Sequence, residues 1–167
     1  MNKTFQKTVC ILLLCVTLLL ASCNQGKSEK DIDATKVATQ LSQVTPTESK
    51  WIDDDQDFIK EYVAFSEYVK ESQIFYAQNT NDLDEFGIFE VEEGKAQEVR
   101  NQLLNGYLKK RYDENLEWYN SYMPTETPKL RDAEVRVYGN CVVYAVLSKE
   151  NRKAFFNECE KLLKSEK

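Results

Sequence analysis

The sequence predicts an α+β domain: a four-stranded, mainly antiparallel sheet of two hairpins, packed against a long helix and a C-terminal helix, with two further helices at the N-terminus. Three observations predict it. Residues 132–147 hold two β-rich runs around Gly139-Asn140, a hairpin signature. The stretch from Ala96 to about Tyr122 carries apolar residues at helical spacing along one broad side. After the N-terminal helices the order is strand, strand, helix, strand, strand, helix, which places the helices on one face of the sheet in two layers.

Each element has its own signal. Ile32 to Val44 brings Val37, Leu41 and Val44 to one helical face and is stopped at Thr45-Pro46. A second helix is expected from the stripe Phe58, Ile59, Tyr62, Phe65 and Val69, with Asp53, Asp54, Asp55 and Asp57 at its positive end. Ser72–Gln78 and Phe86–Val91 are β-rich and read as a loosely connected hairpin. The long helix follows through Val99, Leu103, Tyr107, Leu108, Tyr112, Leu116 and Tyr119, closed by Pro124 and Pro128. Ala133, Val135 and Val137 alternate with Glu134, Arg136 and Tyr138 in the next strand. The return strand from Cys141 to Leu147 is apolar on both faces, so it is expected to be central and covered. A last helix from about Lys149 to Leu163 buries Phe155, Phe156, Cys159, Leu162 and Leu163.

The chain begins with a different pattern. Lys3 and Lys7 precede an uncharged apolar run from Thr8 to Leu20, too short to span a hydrocarbon core of about 30 Å. This is the pattern of a secretion signal, residues 1–22. Leu20-Ala21-Ser22-Cys23 resembles the lipobox of bacterial prolipoproteins. The small residues admit a peptidase between Ser22 and Cys23, and the Cys23 thiolate is the nucleophile that takes diacylglycerol. Two acyl chains are what stable anchoring needs. The expectation is therefore a palmitate-type membrane anchor at the extracytoplasmic face of the cell membrane, a tether over residues 23–31, and one domain over residues 32–167.

Composition narrows what that domain does. Removing Lys3 and Lys7 leaves 20 basic against 28 acidic side chains, a formal charge of −8, so nucleic acid is not an expected partner. Contact with the membrane is expected through the lipid alone. The absence of histidine removes Ser-His-Asp and Cys-His systems and imidazole metal sites. The five isolated glycines form no phosphate loop, and no cofactor is expected. Asp53, Asp55 and Asp57 lack the acid and glycine of a calcium loop, those positions being Ala64 and Phe58. They read as a helix start, and neither metal nor catalytic residues are assigned. Cys141 and Cys159 read as packed thiols, with a disulfide as the alternative. Trp118 is expected to lie off the main stripe, partly exposed.

From about Phe86 to Leu163, and back to the helix around Val37 and Leu41, the chain resembles the bacterial lipoprotein family known as domain of unknown function 4358. The residues that carry the likeness are Phe86-Gly87-Ile88-Phe89-Glu90-Val91, Lys110-Arg111, Tyr122-Met123-Pro124, Leu130-Arg131-Asp132-Ala133 and Val135-Arg136-Val137-Tyr138-Gly139-Asn140. The resemblance implies this fold and location, and no established activity. The functional expectation is a binding or interaction module near the membrane surface, recognising an envelope protein or ligand, in preference to an enzyme. The alternatives are a cell-envelope hydrolase using paired carboxylates and a structural component of an envelope complex.

Overall fold

The computed structural model describes residues 32–54 and 67–164. Helix α1 (Ala34–Val44) is followed by strands β1 (Trp51–Asp54), β2 (Val69–Ala77) and β3 (Glu85–Val91). Helix α2 then runs through an α-helical segment Ala96–Asn101, a π-helical segment Gln102–Leu108 and a second α-helical segment Lys109–Tyr122. A short helix α3 (Thr127–Arg131), the hairpin β4 (Glu134–Tyr138) and β5 (Cys141–Val146), and helix α4 (Lys149–Lys164) complete the fold.

The chain is α+β with an antiparallel sheet, but the sheet has five strands, in the order β1-β2-β3-β5-β4. The additional strand is β1. Asp53 and Asp54 therefore lie in an edge strand, where a helix start was expected, and Val69 opens β2. The expected helix body at 58–66, with Asp55 and Asp57, falls outside the described residues.

Both faces of the sheet are covered, so the fold has three layers where two were expected. On one face Phe89, Val91, Val142, Tyr144 and Val146 pack with Val99, Leu103 and Tyr107 of α2. On the other, Phe86, Ile88, Cys141, Val143 and Ala145 pack with α1 and α4 through Leu41, Phe155, Phe156 and Cys159. The physical reason is the two-sided burial of β3 and β5, every residue of which is buried. Such strands leave no face for water and need a layer on each side.

Local chemistry sets the ends. Asp33 caps α1 by accepting the Lys36 N–H at 2.7 Å, and Glu71 of β2 accepts the Ala34 N–H at 2.9 Å. Gly139 has φ +60°, the left-handed backbone that a two-residue hairpin turn requires. Pro128 sits in the first turn of α3, where its missing N–H costs nothing. No helix among the described residues is long and apolar enough to cross a membrane.

Candidate functional site

Glu85 is the first residue of β3, with Tyr76 opposite it on β2 and Val146 on β5. Its parity along the strand is that of Gly87, Phe89 and Val91, so its carboxylate points at α2 and is only 4% exposed. A carboxylate in such a place needs full compensation. It has it: Tyr107 and Tyr144 donate to Oε1 at 2.5 and 2.6 Å, and Arg111 donates from Nη1 to Oε2 at 2.6 Å. Gly87 makes the Tyr144 bond possible, because a Cβ there would run into the Tyr144 ring.

The π segment of α2 delivers the other two partners. Its hydrogen bonds skip one residue further, as from the Lys109 N–H to the Leu104 carbonyl, so the helix winds more slowly. Side chains four residues apart, Val99, Leu103, Tyr107 and Arg111, thereby stay turned toward the sheet instead of spiralling off it. Arg111 Nη1 also donates to the Tyr107 hydroxyl at 3.0 Å, and Nε approaches the Tyr119 hydroxyl at 3.4 Å. Burial and the adjacent Glu85 push both Tyr107 and Tyr144 well above the usual phenol range. Burial works against the charge on Arg111, but Glu85 outweighs it and holds the guanidinium protonated.

A second cluster fixes the loop between β2 and β3. Lys129 of α3 places Nζ 3.0 Å from Asp82 Oδ1, 2.8 Å from Asp84 Oδ1 and 2.7 Å from Glu126 Oε2. Glu126 also accepts the Leu83 N–H, and Asp82 accepts the Asp84 N–H. Burial raises the Asp84 carboxyl to about 6, partly offset by Lys129. Burial also opposes ionisation of Asp82, yet the Asp84 N–H and Lys129 win and its carboxyl is lowered. The oxygens of Asp82, Asp84 and Glu126 lie within 4.8 Å of one another, the spacing of a hard-cation site. The Lys129 ammonium already occupies the place a cation would take.

Between the two clusters opens a cleft of about 360 Å³. Tyr76, Thr80, Asp82, Asp84, Glu85 and Arg111 are among its lining residues, and Tyr76 is 39% exposed. The Arg111 side chain is 15% exposed, and its Nη2 makes no hydrogen bond with any described residue. The cleft is thus lined by an exposed tyrosine and by a fixed guanidinium whose Nη2 donors have no partner among the described residues.

The site residues expected from the sequence are elsewhere. Leu20, Ala21, Ser22 and Cys23 lie outside the described residues. Cys141 and Cys159 are free thiols buried in one core cluster. Burial pushes Cys141 up to about 12 and raises Cys159 too, so neither is a nucleophile at neutral pH. Trp118 is 51% exposed beside the still more exposed Tyr122. Sequence reasoning missed Glu85, Arg111 and the Lys129 cluster. The available signal was Arg111 itself, a charge four residues beyond Tyr107 on the apolar stripe.

Residues 44–147, more than half of the chain, match the model of a family described as "Domain of unknown function (DUF4358)". The match reaches back over the first hairpin and stops before α4, so it contains every residue of the Glu85 and Lys129 clusters. No curated protein and no solved structure matches the chain.

Proposed function

From the premise that the chain belongs to the DUF4358 family, we propose that it is a lipid-anchored extracytoplasmic lipoprotein whose domain is a binding module, and that the cleft beside Arg111 is its ligand site. The observation that carries the binding role is the guanidinium of Arg111. Three contacts within the fold hold it in place, its Nη2 has no hydrogen-bond partner among the described residues, and Arg111 lines a pocket that Tyr76 also lines. Such a fork suits a ligand carrying a carboxylate or adjacent hydroxyls, with a flat face toward Tyr76. Anchoring rests on the lipobox ending at Cys23 and on the charged, apolar leader before it. The experiment is to titrate a panel of monosaccharides, amino acids and small dicarboxylates while following the backbone amides of residues 76–85. Arg111→Lys keeps the charge opposite Glu85 and removes the fork, so it separates binding from folding.

The hydrolase reading is favoured by one observation. Asp82 and Asp84 are adjacent, buried and shifted in opposite directions, the arrangement that divides a general acid from a carboxylate base. Against it, one ammonium of α3 pairs with both of them and so ties the loop to α3. Hydrolysis of a cell-wall glycan that survives in the wild type and is lost in Asp84→Asn would favour it over the binding module.

A further inference from the structure

A second cavity, of about 400 Å³ and shallow, lies at the sheet edge formed by β4, between the start of α2 and the end of α4. Its polar lining is Gln97, Arg100, Arg136, Tyr138, Glu160 and Lys164. Three cations face one acid there, in a chain whose formal charge is −6.

The pairing inside this lining leaves positive charge over. Lys164 and Glu160 pair at 3.3 Å along α4. Arg136 lies 4.0 Å over the Phe156 ring and donates to Glu134 at 3.2 and 2.8 Å, but Glu134 also accepts Arg152 at 2.9 Å. One carboxylate therefore serves two guanidiniums. Arg100 has no carboxylate partner among the described residues: Nε donates to the Val135 carbonyl and Nη1 to Asn101, both at 3.3 Å, and Nη2 is unused. The hydroxyl of Tyr138 is buried beside the Arg136 guanidinium. Burial raises that phenol to about 12, so at neutral pH it keeps its proton.

We propose that this cavity binds a phosphate-type oxyanion, held by Arg100, Arg136 and Lys164. Donors that converge from α2, β4 and α4 suit a group with three or four acceptor oxygens better than a planar carboxylate. The site is independent of the Arg111 cleft. It also qualifies the expectation that an acidic chain ignores anionic headgroups, because local charge departs from the total. The phosphate has two sources, free in solution or on an anionic lipid.

The test is calorimetric titration of the purified full-length chain with inorganic phosphate at fixed ionic strength, with chloride as control. The expected result is saturable binding. Arg100→Gln should weaken it about tenfold or more. Lys164→Gln, at an exposed position that leaves the core intact, should also weaken it and guards against misfolding of the Arg100 variant. A non-saturating response, or unchanged affinity in both Arg100→Gln and Lys164→Gln, overturns the proposal. Co-flotation with phosphatidylglycerol against phosphatidylcholine vesicles separates the sources, since an anchor contributes equally to both. Preference for phosphatidylglycerol that phosphate competes away assigns the headgroup. Phosphate binding without that preference assigns the free anion.

Discussion

Removing the charge of Glu85 or of Arg111 alone should destabilise the protein strongly, and removing both should cost much less than the two losses added together. In Glu85→Gln the amide still accepts from one tyrosine, but the Arg111 guanidinium, 2.6 Å away, loses its only carboxylate among the described residues, in a site where its side chain is 15% exposed. An uncompensated buried charge costs about 3–5 kcal/mol, and the residual exposure of Arg111 to the cleft places this case near about 3 kcal/mol. Arg111→Met alone strands the Glu85 carboxylate with the hydroxyls of Tyr107 and Tyr144 as its remaining partners among the described residues, and should cost a similar amount. The double variant leaves neither charge stranded and should cost at least about 2 kcal/mol less than the two single losses added together. Urea denaturation at 25 °C, followed by tryptophan fluorescence and circular dichroism, supplies the four free energies. Single losses below about 1 kcal/mol, or strict additivity, would refute the reading of this pair as a tightly coupled buried unit.

Other perturbations address neighbouring links. Asp84, with a folded pKa of about 6 against an unfolded value of about 3.9, contributes stability that is fully present below about pH 4 and lost as pH rises through 6. Asp84→Asn should therefore match or exceed the wild type by about 1–3 kcal/mol at pH 7.5 and lose that advantage toward pH 4. A gap that does not change with pH would count against the burial argument. Gly87→Ala forces the Tyr144 ring off Glu85 and should cost about 1–3 kcal/mol of unfolding free energy, read from denaturation midpoints. Cys23→Ala should abolish labelling by radioactive palmitate and leave an unprocessed chain on gels; normal labelling of that variant would sink the anchor assignment.

The hairpin of β4 and β5 was legible because its information is local: alternating side chains and a Gly139-Asn140 turn lie within fifteen residues of one another. Strand β1 was not. Four residues, Trp51-Ile52-Asp53-Asp54, pair with β2 through their backbones, and two acids before an apolar stripe give the same local signal as a helix start. The two-sided covering was partly written in β5, apolar on both faces. The same reading applied to Phe86–Val91 would have called for a helix layer on each side. The candidate site was the least legible part. Glu85 reaches partners 22, 26 and 59 residues away, and only the pair Tyr107 and Arg111, four apart on one helix, is local. The π segment that turns them inward follows from packing and has no residue signature in Gln102–Leu108.

The central claim is that the fixed edge of Arg111 makes the neighbouring cleft a ligand site. Its most direct measurement is the amide chemical-shift titration of wild type and Arg111→Lys side by side with the same carboxylate- and hydroxyl-bearing panel. The account predicts saturable shifts at residues 76–85 for at least one class, weakened about tenfold or more in the variant. Shifts confined to other parts of the fold, or equal affinity in both proteins, would contradict it.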